Sequence, residues 1–118
     1  MSQSASQAAA FYRDVAAQRA LWTLCDEVGF PQPMTSSGRR AQPFWSSRAR
    51  VERIIATLPA YAEFEPHEVS WRAFVAEWAP ELERAQVLVG VNWSGARATG
   101  YDLEPSEVVA NVSVYLEP

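Results

Sequence analysis

Between Gly90 and Asp102 the chain reads GVNWSGARATGYD, with three evenly spaced glycines among an asparagine, a serine and a threonine. Glycine-rich turns can cradle phosphates, and a serine between glycines can serve as a nucleophile. Neither pattern is complete here. A P-loop places Lys and then Ser or Thr after its last glycine, so that an ammonium group reaches the phosphates. Ala96 follows Gly95, Tyr101 follows Gly100, and the whole chain lacks lysine. A nucleophile elbow needs Gly-x-Ser-x-Gly, but Ser94 stands directly between Trp93 and Gly95. The Gly-x-Gly-x-x-Gly spacing of a dinucleotide loop does not occur. The segment reads instead as a hairpin. Ser94-Gly95-Ala96-Arg97 puts glycine first of two central residues, as a type II′ turn requires. That register pairs Trp93 with Ala98, Asn92 with Thr99 and Gly90 with Tyr101, and Gly90 then leaves room for an aromatic ring lying across the strand.

Other chemistry is thin. His67 is the only histidine, so a Ser94–His67–Asp102 triad can be drawn but nothing singles it out. Between Glu65 and Glu68, His67 reads as a surface loop residue. One histidine and one cysteine, Cys25, make a zinc site unfavourable. The carboxylate pairs Glu65/Glu68 and Glu81/Glu83 read as solvated faces. No cofactor and no metal is expected. The constellation with most promise is basic: Arg39, Arg40, Arg48, Arg50 and Arg53 surround FWSSR, where Ser46 or Ser47 would start a helix. Backbone N–H groups, serine hydroxyls and guanidinium groups together could hold an anion or an acidic partner. Residues 63–83 have the opposite sign, with six glutamates and one arginine. So lopsided a molecule suits a protein partner better than a substrate.

The totals narrow the classes further. The 118 residues suit one globular domain spanning 1–118, with the first six residues frayed. A net charge of −4 argues against nucleic-acid binding, which needs a basic face. All ten basic residues are arginine, so no Schiff-base lysine exists. No apolar run is long enough to span a bilayer, and MSQSASQAAAFYRDV lacks the basic and apolar regions of a secretory signal. A cytoplasmic location is the expectation.

Periodicity supplies the elements. Ser4 or Ser6 can cap a helix running to about Arg19, with Phe11 and Val15 on one face. LWTLCD (21–26) alternates as a strand, and a loose hairpin turns at Ser36-Ser37-Gly38 with Phe44 and Trp45 on its return. Val51, Ile54, Ile55 and Leu58 mark a helix over 48–58 that ends at Pro59. YAEFEPHEVS reads as an acidic loop with a short extended piece at its end. Ser70 caps a helix with the stripe Trp71, Phe74, Val75, Trp78 and Leu82, which is kinked at Pro80 or divided into two short helices and ends near Arg84. VLVGVNW (87–93) is the strongest strand, with Val87, Val89, Val91 and Trp93 on one face. Pro105 begins a terminal helix carrying Val108, Val109 and Val112. FEPHEVSW (64–71) echoes LEPSEVVA (103–110), and a shared way of starting a helix, Pro then Glu in the first turn, accounts for the echo. The expected core is Phe11, Val15, Trp22, Leu24, Val51, Ile54, Ile55, Leu58, Phe74, Val75, Trp78, Leu82, Val89 and Val91.

LWTLCDEVGFP, GRRAQPFWSSRARVERII, PAYAEFEPHEVSWRAFVAEWAPELER and VGVNWSGARATGYDLEPSEVVANV together resemble an uncharacterised bacterial family, domain of unknown function 2750. The resemblance runs from about Phe11 to Val112. It rests on the Trp22–Asp26 strand, PFWSS before an arginine helix, a Trp-Ala-Pro helix end and the GVNW strand. It implies a small α/β domain and carries over no catalytic residue.

The expected fold is α+β, a small, mostly antiparallel sheet of three or four strands packed by three or four helices on one face. The expected function is a non-catalytic protein-binding module, of which an inhibitor or immunity-type role is one version. A small-molecule or anion-binding protein using Arg39, Arg40, Ser46, Ser47, Arg48, Arg50 and Arg53 is the alternative, and an enzyme is third.

Overall fold

The computed structural model describes residues 3–116. Its order is α1 (Gln3–Gln18), β1 (Ala20–Cys25), β2 (Ala41–Phe44), α2 (Arg48–Thr57), β3 (Glu65–Ser70), α3 (Trp71–Ala73), a π turn (Phe74–Trp78), α4 (Ala79–Ala85), β4 (Leu88–Ser94), β5 (Thr99–Leu103) and α5 (Pro105–Ser113). The fold is α+β and mostly antiparallel. Its five strands form two small sheets: β1 pairs antiparallel with β3, while β4 pairs parallel with β2 and antiparallel with β5. The sheets meet at one antiparallel bridge, where the Trp22 and Trp45 backbones exchange N–H···O bonds of 2.8 and 2.6 Å.

The helices divide between two apolar clusters. α1, α4 and α5 enclose the larger with Phe11, Val15, Leu82, Val108 and Val112, against Phe44, Val89 and Val91 of the strands. α2 covers the smaller, placing Val51 and Ile54 against Leu24, Trp45, Leu88 and Trp93. Each of these side chains, buried, contributes roughly 1.5–3 kcal/mol of transfer free energy before entropy is charged against it.

Local signals form several elements as expected. Ser47 caps α2 in an extended conformation, accepting from Arg50 N at 3.2 Å. Pro105 opens α5, and Glu104 with Glu107 closes a capping box around its first turn. Helix α1 starts at Gln3, so Ser4 and Ser6 lie inside it and do not cap it; Met1 and Ser2, part of the segment expected to fray, fall outside the described residues. It ends through Arg19 in the left-handed region, whose N–H bonds Val15 O at 2.7 Å.

Longer-range packing changes several expectations. EPHEVS is the full-length partner of β1, with Val69 its one buried side chain. The octapeptide echo is therefore a strand in one copy and a helix in the other, and no shared helix start exists. His67 consequently lies on a strand, half-buried, its ring 5.2 Å from Phe30 and 6.0 Å from Trp78. The Trp71–Leu82 stripe is broken by the π turn, in which Ala79 N–H donates to Phe74 O, five residues back. The wider turn relieves the clash that the Pro80 ring would make with the carbonyl four residues earlier, and it rotates Val75 to the surface, 39 % exposed.

A further correction concerns the hairpin. Ser94 pairs with Thr99, Val91 with Tyr101, and Gly90 with Asp102, with a bulge between Val91 and Ser94. The connection is the four residues Gly95–Ala98, not a two-residue turn. Asn92 sits in the bulge with φ +49. The extra residue reverses alternation, so Val87, Val89 and Val91 face the larger cluster while Trp93 joins Leu88 in the smaller. Gly90 does make room for a ring, but the ring is the indole of Trp93, which a methyl group at Gly90 would overlap. Of the other expected core residues, Trp22, Ile55, Leu58 and Trp78 are only partly buried at the cluster edges.

Candidate functional site

The predicted arginine–serine segment separates into several environments. Arg39 lies away from α2, its guanidinium held by the Glu104 carboxylate and by Gln86 O at 3.0 Å. The Arg39 partner draws the Glu104 carboxyl below the ordinary glutamate range. Arg40 donates to Gln32 O at 2.9 Å on the loop before β2. Ser46 is fully buried, its N–H given to Asn92 Oδ1 at 2.8 Å, its carbonyl accepting from Gln18 Nε2 at 2.9 Å and its hydroxyl between Asn92 and Asp14. Ser47 is occupied as the α2 cap, and Arg48 pairs with Glu52 at 2.9 Å while lying 5.6 Å over the Trp22 ring. None of these groups is gathered into one anion site.

Arg50 and Arg53 are the two members that the fold brings together. Both line a half-open cleft of about 940 Å³ between the start of α1, the exposed face of α2 and the β4–β5 connection. Helix periodicity explains their joint placement. Arg50, Arg53, Ile54 and Thr57 follow the i, i+3, i+4, i+7 rule and form one face of α2. Across from them stand Gln3 and Gln7 of α1, and Trp93 with Ser94 and Gly95 of the hairpin; Leu58 and Pro59 close the far end. Arg50 is oriented by Gln7, whose Oε1 accepts from Nη1 at 2.6 Å. Among the described residues, the Arg53 side chain makes no hydrogen bond or ion pair, and no carboxylate lines the cleft.

Sequence reasoning missed the other walls. Gln7 carries no local signal for a site. Trp93 was assigned to the opposite face because period-two alternation knows nothing of the bulge. Trp93 is fixed at both ends: its Nε1 donates to Asp102 Oδ1 at 2.8 Å, and its carbonyl accepts from Trp45 Nε1 at 2.8 Å. Burial raises the Asp102 carboxyl above its ordinary value, and the Trp93 N–H partly offsets this. Asp102 and His67 thus have other neighbours than Ser94, which lies at the cleft rim. Among the described residues no group of three or more His, Cys, Asp or Glu could hold a metal ion, and no helix is long and apolar enough to cross a membrane.

No curated protein matches the chain. Among protein families, residues 8–112 match the one described as "Protein of unknown function (DUF2750)", a match that runs from within α1 through most of α5. The chain therefore belongs to the DUF2750 family.

Proposed function

We propose that the protein is a non-catalytic binding module that docks a protein partner in the cleft between α1, α2 and the β4–β5 connection. One observation carries this reading: in a chain with an excess of acidic residues, the described residues that line the cleft include two arginines and no carboxylate. An acidic group entering it gains charge-assisted hydrogen bonds without displacing an internal counter-charge. The serines and Arg48, by contrast, are used within the fold. An inhibitor or immunity-type role is one form such a module can take.

The test is charge reversal at Arg50 and Arg53. Arg50→Glu with Arg53→Glu leaves the buried α2 residues untouched, so folding should change by less than about 1 kcal/mol. A partner captured from the native host and purified should bind the double variant at least about tenfold more weakly at low salt, with a smaller salt dependence. Equal affinity for the wild type and the variant would overturn the docking role of this cleft.

A further inference from the structure

The cleft is polar at one end and apolar at the other. Its α2 wall runs from Ala49 to Leu58, about 13 Å of helix at 1.5 Å per residue. Arg50 and Arg53 occupy the first half; Leu58 and Pro59 occupy the end, with Trp93 among the apolar lining residues. Two of the lining side chains, Arg50 and Trp93, are held in place. Gln7 holds one Arg50 nitrogen and leaves its remaining N–H groups free to donate. Trp93 is locked between Gly90 and Asp102. Little ordering cost therefore falls on the protein when a ligand arrives.

Size and length describe the occupant. A cleft of about 940 Å³ is far larger than an inorganic anion and lies near the upper end of the roughly 300–1,000 Å³ of small-ligand pockets. The axial offset from Arg50 to Leu58 is about 12 Å. An extended peptide rises about 3.4 Å per residue and points residues i, i+2 and i+4 the same way. Residues i and i+4 are then about 13 Å apart on one face, which matches that offset. Resting on the binding role assigned to the cleft above, we propose that its occupant is an extended segment of a protein partner bearing Asp or Glu and, four residues away, a large apolar side chain. The carboxylate meets Arg50 and Arg53, and the apolar side chain meets Leu58 and Pro59.

The probes are four defined compounds, titrated into the ¹⁵N-labelled full chain. The first is acetyl-Ser-Glu-Ser-Thr-Ser-Phe-Ser-amide, with Glu and Phe four residues apart. The second replaces its Glu with Gln, the third places Glu and Phe side by side, and the fourth is 3-phenylpropionate. The first peptide should shift the amide signals of Arg53, Leu58 and Ser94 and the Trp93 indole N–H saturably. Its affinity should fall about tenfold or more with the Gln peptide, consistent with loss of one charge-assisted contact. The adjacent-pair peptide and 3-phenylpropionate should also bind more weakly, and Arg53→Gln should reduce binding of the first peptide while leaving that of the Gln peptide unchanged. If all three peptides bind alike, if 3-phenylpropionate binds as tightly, or if none shifts these signals at millimolar concentration, the acidic–apolar segment is overturned. The binding role of the cleft fails separately: shifts confined to another surface, unchanged by Arg50→Glu with Arg53→Glu, would overturn that role itself.

Discussion

The backbone N–H of Ser46 donates to Asn92 Oδ1 at 2.8 Å, joining the start of α2 to the bulge of β4. The Asn92 amide nitrogen completes the link by donating to Ser46 Oγ and to Gln7 O, both at 3.1 Å. One buried side chain thus ties together the three elements that wall the cleft. Its own backbone, at φ +49, makes the bulge that turns Trp93 toward them.

Asn92→Ala should accordingly destabilise the protein by about 3 kcal/mol, combining an unsatisfied buried N–H with the left-handed backbone that alanine disfavours. Asn92→Gly removes only the backbone part and should lose about 1 kcal/mol less. Urea unfolding of the three proteins checks both values. Equal losses in the two variants would show that the left-handed backbone is not under strain.

Gly90→Ala places a methyl group in the indole of Trp93, and overpacking of this kind costs about 1–3 kcal/mol. The cost should nearly vanish in a Trp93→Ala background, where the space is vacant. A double-mutant cycle by thermal or urea unfolding measures the coupling. Additive effects would place the clash elsewhere.

Trp78 packs edge-on against Phe30 and Phe44, with centroids 4.9 and 5.9 Å away, and also meets His67. Trp78→Ala should cost about 3–4 kcal/mol, whereas Val75→Ala, on the face that the π turn exposes, should stay within about 0.5 kcal/mol. An unchanged melting midpoint for Trp78→Ala would move that residue to the interaction surface.

Asp102 gives a pH-dependent prediction. Burial raises its carboxyl above the ordinary 3.8 in the folded state. Its favourable contribution is complete below 3.8 and is lost as the pH rises through the raised value. Asp102→Asn keeps an acceptor for the Trp93 indole and carries no charge. The stability of the variant relative to the wild type should therefore rise with pH across that window and then level off. Urea midpoints measured from acid to neutral pH decide it; a flat or falling difference contradicts the assignment.

Of the candidate site, only the two arginines were legible in the sequence. The clustered arginines at the start of α2 drew attention to Arg50 and Arg53, and the period of α2 places both on one face. Nothing local indicated that Ser46 would be consumed by Asn92, 46 residues away, or that Arg39 would cross to Glu104. Those contacts exist only after β4 and α5 have packed, so residue spacing could not separate the arginines that remain available from those already paired.

The sequence by itself determined the elements whose stabilising contacts lie within one or two turns, α2 with its Ser47 cap and α5 with Pro105 and the Glu104–Glu107 box, and alternation marked β4 as a strand. Tertiary structure alone decided which way these elements face and what the ambiguous segments become. EPHEVS and EPSEVV differ little in local preference, yet the first lies along β1 while the second coils against α1 and α4. Trp93 changes sides because Asn92 finds partners on α1 and before α2 that hold it in the bulge. Local hydrogen bonds and periodicity act over about four residues; register, bulges and the sharing of buried polar groups are settled by partners distant in the chain, where pairing and burial outweigh propensity.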